Sequence, residues 1–287
     1  MRYEAPTRLE EAVSLLAGQD GAHVLAGGTD LLVKLRSEMI EPEMVVDIKR
    51  IEGMRDIAAE EGGWRIGAAV SGAEMGEHAG LVADWPGVVE AAGLIGSTQV
   101  QGRATLAGNL CNASPAADSV PAMVAARARV RIAGPNGMRD MDVIDVPQGP
   151  GKTALERGEF IASVWLPARG ERSSDAYLRF IPRTEMDIAV VGCGILLSLD
   201  EGDRVTTARV SLGAVGPKVM LVDDAAQAIT GRVLDEAALS DLAEACSQAA
   251  TPIDDKRGTI DFRKHVAGVL ARRVAVIAAK RAKGETV

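Results

Sequence analysis

The chain has 287 residues, 47% of them hydrophobic and 3% aromatic, which is long for one core, comfortable for two domains, and ordinary for a globular protein. A formal charge of -8 with no cluster of Lys and Arg excludes a nucleic-acid surface, where phosphates need a concentrated positive patch. No apolar run reaches the ~18 residues of a membrane span and the N-terminus lacks the apolar core of a secretion signal, so a cytoplasmic protein with no membrane span is expected.

In chain order, Thr7-x-x-Glu10 reads as a capping box opening a helix. Leu9, Ala12, Val13 and Leu16 then recur at helical spacing, and Gly18 is placed to end it. Ala22 to Ala26 reads as a strand, Gly27-Gly28-Thr29-Asp30 as a turn, and Leu31 to Met39 as a second helix. Met44 to Ile48 and Trp64 to Val70 follow as strands, Trp85 to Gly93 as a helix, and a short strand lies near Val130. This alternation favours an α/β arrangement. Glu159 to Leu166, Ala176 to Phe180, Ile188 to Leu199 and Arg204 to Val215 are successive strands. Asp224 to Thr230, Glu236 to Ala249 and Phe262 to Lys280 are helical. Strands followed by helices suggest α+β with an antiparallel sheet, and the Gly-, Arg- and Ser-rich stretch from Pro167 to Ser174 is the expected linker.

Two stretches give up core-forming side chains. VLAGGTDL, Val24 to Leu31, follows a strand and enters a helix. Its glycines let backbone approach a ligand, and its N–H groups suit a phosphate, with Thr29 adding a hydroxyl. A plain strand–helix turn explains it equally well. ATLAGNLCNASPAADSVP, Ala104 to Pro121, gathers Thr105, Gly108, Asn109, Ser114 and Asp118. Gly108 N–H and Asn109 suit pyrophosphate oxygens, and Asp118 suits sugar hydroxyls. Alternatively, Asp118 caps a helix from Ser119 to Ala128 with Pro121 in its first turn. Two Gly-rich loops in one α/β domain favour a dinucleotide held from both sides.

Other patterns carry less. Gly149-Pro-Gly-Lys-Thr153 lacks the first glycine of a phosphate loop, having Val146 there, and Pro150 removes a donor. Gly192-x-Gly194 has Leu197 where a third glycine belongs and sits in a strand. Asn112-Ala-Ser114 is a glycosylation sequon by pattern only. His23, His78 and His265 show no catalytic or metal spacing, so structural or surface roles are expected. Arg179, Arg183, Glu185 and Asp187 around Pro182 read as a surface ion network, and Cys111 as a small packing residue. Cys111, Cys193 and Cys246 are too few and too scattered for a cluster needing about four ligands. Iron–sulfur chemistry would have to come from another chain.

In order along the chain, VLAGGTDLLVKLR, TLAGNLCNASPAADSVPA and RFIPRTEMDIAVV resemble the FAD-binding medium subunit of the molybdenum hydroxylases. The likeness covers nearly the whole chain. It implies an α+β protein: an N-terminal FAD-binding domain of vanillyl-alcohol-oxidase type with two α/β subdomains, residues 1–170, then a C-terminal α/β domain with an antiparallel sheet, residues 175–287. By that resemblance Val24, Leu25, Ala26, Gly27, Gly28, Thr29, Asp30 and Leu31 wrap the FAD diphosphate. Thr105, Leu106, Ala107, Gly108 and Asn109 close from the other side. Asp118 meets the ribose part with Ser114 nearby, and Ile95, Ile161 and Arg179 correspond to flavin contacts. The second motif usually reads T-x-G-G-N, and Ala107 replaces its first glycine, which asks for negative φ and more room.

The resemblance further implies non-covalent FAD, a large molybdopterin-binding partner, a small partner with two [2Fe-2S] clusters, and a dimer of heterotrimers. It names no catalytic acid or base and no metal ligand in this chain. The usual A-G-G-H-S of the carbon monoxide branch is replaced by Thr29 and Asp30, which disfavours carbon monoxide. The benzoyl-CoA reductase branch is excluded by its missing cysteine-rich insertion. A self-contained FAD-dependent oxidoreductase and a flavin-free scaffold subunit stay open as alternatives.

Overall fold

The computed structural model describes residues 1–183 and 186–286. It opens with strands β1 (Arg2–Glu4), β2 (Ala22–Leu25) and β3 (Met44–Asp47), joined by helices α1 (Leu9–Gly18) and α2 (Leu31–Arg36). The strands lie in the order β1-β3-β2 and pair in parallel, as expected where each connection is a helical crossover. The central strand β3 is buried along its whole length, which suits its run Met44-Val45-Val46. The box expected at Thr7 does not form. Arg8 occupies the N-cap without a side-chain bond, one residue later than the box requires, so Glu10 falls out of register and pairs with Arg8 instead. A true capping box occurs at Ser71 and Glu74, where hydroxyl and carboxylate satisfy each other's backbone N–H.

The next sheet is antiparallel. β4 (Ile57–Glu60) and β5 (Gly63–Gly67) are followed by six helices: α3 (Gly72–Glu77), α4 (Ala79–Asp84), α5 (Pro86–Gly93), α6 (Thr98–Gln101), α7 (Leu106–Cys111) and α8 (Ser119–Ala125). Then come β6 (Arg129–Gly134), β7 (Gly137–Asp142), a ribbon of β8 (Pro147–Gly149) and β9 (Lys152–Thr153), and β10 (Phe160–Leu166). The strand order is β4-β5-β10-β6-β7. The ribbon contains the false phosphate loop: Gly149 and Gly151 take positive φ, +152° and +69°, to make a turn.

The last part carries β11 (Ser173–Phe180), β12 (Val191–Leu199), β13 (Val205–Gly213) and β14 (Met220–Leu221) as one antiparallel sheet in sequence order. Helices α9 (Asp223–Ile229), α10 (Glu236–Ala249) and α11 (Ile260–Ala282) cover it. Two hydrophobic clusters result, one around Trp85, Met123 and Phe160, the other around Ile195, Leu242 and Val274. They meet through very close backbone approach. A Cβ at Gly194 would lie 2.8 Å from the Pro121 carbonyl oxygen, and one at Gly213 would lie 2.6 Å from the Pro121 ring. The pair Gly192-x-Gly194 thus includes a glycine that serves helix–sheet packing. Nearby, Asp175 Oδ2 accepts from Val88 N at 2.9 Å, holding the first turn of α5 from the other cluster's sheet; burial pushes its carboxyl up to about 6.

Candidate functional site

A cleft of about 440 Å³ opens between the first sheet and the helical layer of the second, within the size range of small-molecule sites. The turn after β2 forms one wall. At Gly27 the backbone runs so near the following motif that a Cβ would sit 1.8 Å from Arg103 O, so the two Gly-rich stretches touch main chain to main chain. Gly28 takes φ +81°, the left-handed region that glycine occupies without penalty. Lys49 supports the turn from behind: its Nζ donates to Ala26 O at 3.1 Å and pairs with Asp47 at 2.8 Å. Asp47 also accepts from Tyr3 OH at 2.6 Å. Burial opposes ionisation of Asp47, but the bonds from Lys49 and Tyr3 outweigh it and hold the carboxyl below its usual range.

The opposite wall is wound into helix. Thr105 is the N-cap of α7, its Oγ1 accepting from Gly108 N at 2.9 Å. That donor was expected to meet pyrophosphate, and it is already satisfied inside the protein. Asn109 Oδ1 accepts from Ser119 N at 3.1 Å and Ser119 Oγ at 2.7 Å, so Asn109 caps α8, the role that the alternative reading gives to Asp118. Ala107 fits without strain because it lies inside α7 and is not among the positive-φ residues.

Asp118 turns elsewhere. It occupies the N-cap position of α8 with helical φ and ψ and no capping bond, because a helical backbone aims the side chain away from the free N–H groups. Its Oδ2 pairs with Arg179 at 2.7 Å, and both side chains are nearly buried. Burial raises the Asp118 carboxyl, with Arg179 pulling it back. Asp118 Oδ1, Arg179 Nε and Tyr177 OH are buried without a partner among the described residues. Arg179 is therefore no member of the expected surface network. Arg183 does pair with Asp187 at 3.0 Å, and Glu185 lies outside the described residues.

Of the expected site residues, Val24, Ala26, Gly27, Gly28, Thr29, Asp30, Leu31, Ile95, Thr105, Ala107, Gly108, Asn109 and Ile161 line the cleft. Leu25, Leu106, Ser114, Asp118 and Arg179 do not line it: Leu106 is buried in the core, and Ser114 Oγ accepts from Ala116 N at 3.2 Å. Sequence reasoning missed Lys34, Ile48, Ala68, Cys111, Asn112 and Leu155 as lining residues. Nothing in local sequence marks an isolated Ile or Ala as cleft wall, but Asn112 and Lys34 lie within the two Gly-rich motifs and are legible there as polar groups. Cys111 is a neutral thiol at ordinary pH, since burial pushes it up to about 12. His23 lines the cleft, and the His78 ring accepts from Leu81 N at 3.1 Å. Among the described residues no group of three or more His, Cys, Asp or Glu is placed to hold a metal ion, and no helix is long and apolar enough to cross a membrane.

Residues 1–169 match the family model described as the FAD binding domain in molybdopterin dehydrogenase. Residues 176–277 match the CO dehydrogenase flavoprotein C-terminal domain. The chain is 30% identical to the xanthine dehydrogenase FAD-binding subunit of Escherichia coli O157:H7, over 99% of this chain and 97% of that one. It is 31% identical to the carbon monoxide dehydrogenase medium chain of Afipia carboxidovorans, over 98% of this chain and 97% of that one. Among solved structures, a reconstituted CO dehydrogenase from Oligotropha carboxidovorans superposes with a TM-score of 0.93 at 28% identity, covering 98% of both chains.

Proposed function

The chain belongs to the FAD-binding medium subunits of the molybdenum hydroxylase family, and we propose that it stands between the [2Fe-2S] clusters of a small partner subunit and an external electron acceptor. Substrate chemistry belongs, in this reading, to a large molybdopterin-binding partner, and the assembly is a cytoplasmic dimer of heterotrimers. Residues 1–170 form the FAD-binding domain and 175–287 the C-terminal domain, a division supported by a second hydrophobic cluster drawn wholly from the later residues and a first drawn from the earlier ones apart from Tyr177 and Val219. Replacement of the usual His-Ser by Thr29 and Asp30 favours a substrate other than carbon monoxide.

The residues present fit a non-covalent dinucleotide. Glycine at φ +81° keeps side-chain bulk away from the turn, Thr29 supplies a hydroxyl, and Ile48, Ala68, Ile95 and Ile161 supply apolar wall. FAD, when bound, supplies the one- and two-electron chemistry, and the protein supplies position and electrostatics. In this proposal Val24 to Leu31 and Thr105 to Asn109 hold the dinucleotide between them, and the apolar wall excludes water. Ser114, Asp118 and Arg179 belong to the same proposed set, with Asp118 and Arg179 held as a pair just outside the cleft lining. Neither Cys111 nor Glu159 is free for an acid or base role in the cleft: Cys111 is held protonated, and Glu159 is committed to Arg139 through two bonds of 2.6 Å.

The observation that carries the reading is the main-chain contact between Gly27 and Arg103, which joins two distant Gly-rich stretches around one cleft. The test is the flavin content of the protein purified with its partners, read by visible absorbance and identification of the released flavin. One FAD per chain is expected. A colourless complex would establish a scaffold instead, and oxidation of a small organic substrate by this chain alone, without molybdenum, would establish a self-contained oxidoreductase.

A further inference from the structure

Across the cleft mouth, three side chains form a chain of bonds between the two stretches. Lys34 Nζ donates to Asn112 Oδ1 at 2.7 Å, and Asn112 Nδ2 donates to Asp30 Oδ1 at 3.1 Å. All three line the cleft, and Lys34 is the only Lys or Arg among its described lining residues. The other carboxylate in the lining, Glu159, is neutralised by Arg139. Arg139 itself is not a lining residue, so Lys34 alone brings positive charge to the cavity.

An amide is a weak partner for an ammonium ion, whose three donors it leaves mostly unmatched. A diphosphate offers ionised oxygens, and hydrogen bonds between charged groups are roughly twice as strong as neutral ones. Lys34 sits one turn after Gly28-Thr29 on α2, its backbone N–H bonded to Asp30 O at 3.0 Å, so the four-carbon stem swings from a fixed base beside the turn. We propose that Lys34 is a cofactor-binding residue that leaves Asn112 to pair with the dinucleotide diphosphate, while Asn112 keeps its bond to Asp30. Asn112 thereby parks the cation and holds the Asp30 carboxylate turned toward an amide donor. This inference rests on the dinucleotide reading above.

The full-length chain, freed of flavin, is titrated with FAD and with riboflavin, which lacks phosphate, and binding is read by flavin fluorescence. Lys34→Met should weaken FAD roughly 10- to 100-fold, the worth of a charge-assisted hydrogen bond, and leave riboflavin unchanged. Lys34→Arg should stay within about threefold of the parent, because charge and reach are kept. Asn112→Ala should weaken FAD clearly less than Lys34→Met does, since the cation stays although the Asp30 carboxylate loses its amide donor. Added salt should weaken FAD less in Lys34→Met than in the parent, because less charge is left to screen. Displacement of FAD by ADP but not by adenosine gives the same contrast through the other half of the cofactor, and Lys34→Met should lose it. Equal losses for both flavins, or matching losses in Lys34→Met and Asn112→Ala, would overturn the proposal by making the Lys34–Asn112 bond a structural tie alone. A parent chain that binds neither FAD nor ADP would overturn the dinucleotide reading itself.

Discussion

The two Gly-rich stretches facing the cleft are built on opposite principles. In the first, Gly27 and Gly28 are required by the backbone: one by a contact that leaves no space for a Cβ, the other by φ +81°. In the second, Gly108 has helical geometry inside α7 and its N–H is satisfied by Thr105, while Ala107 occupies the place of a glycine without strain. Similar composition therefore hides different roles. The first stretch is a turn whose shape depends on missing side chains, and the second is a capped helix whose small residues permit close packing.

Substitutions that should separate the two begin with Gly27→Ala. Its Cβ would collide with Arg103 O at 1.8 Å, and backbone cannot rotate away as a side chain can. A stability loss of about 3 kcal/mol is expected, with loss of flavin, measured by chemical denaturation and by flavin per chain. Retention of parental stability would show that the two stretches do not touch as described. Gly28→Val comes next. A β-branched residue held at positive φ carries strain of ~2 kcal/mol, and flavin retention should be abolished; unchanged flavin content would remove this turn from the site.

Effects at the second stretch should be smaller and local. Thr105→Ala removes the cap of α7 and should cost about 1 kcal/mol, visible as a lower denaturation midpoint. A loss as large as that of Gly27→Ala would erase the contrast. Ala107→Gly, which restores the commoner motif, should cost ~0.5–1 kcal/mol through the greater freedom of the unfolded chain, with FAD affinity unchanged by titration. A gain in stability would mean that Ala107 is crowded after all.

Much of the architecture was legible because it depends on local pattern. The helical spacing of Leu9, Ala12 and Leu16 gave α1, the apolar run at Met44 gave β3, and the stretch from Trp85 to Gly93 gave α5. The short β1 and β4 are not legible in the sequence because three or four residues offer too little period-2 signal. The capping box was misplaced because Thr-x-x-Glu fixes spacing but not where the helix begins. Cleft residues inside the two Gly-rich motifs could be named from chain-local chemistry, whereas Ile48, Ala68 and Leu155 look like any core residue until sheet and helices close around the cavity.

The difference between these cases is one of range. Amino-acid order alone decides where glycine is needed, where apolar residues repeat and how far apart the two small-residue stretches lie, since these are properties of neighbouring side chains and of backbone freedom. It also carries the family likeness. Which groups face one another was decided only by the folded chain. Asp118 pairs with Arg179 across 61 residues of sequence and Lys34 with Asn112 across 78. Such partners are chosen by packing and by the cost of leaving buried charge and polar groups unmatched, and no local pattern records that choice.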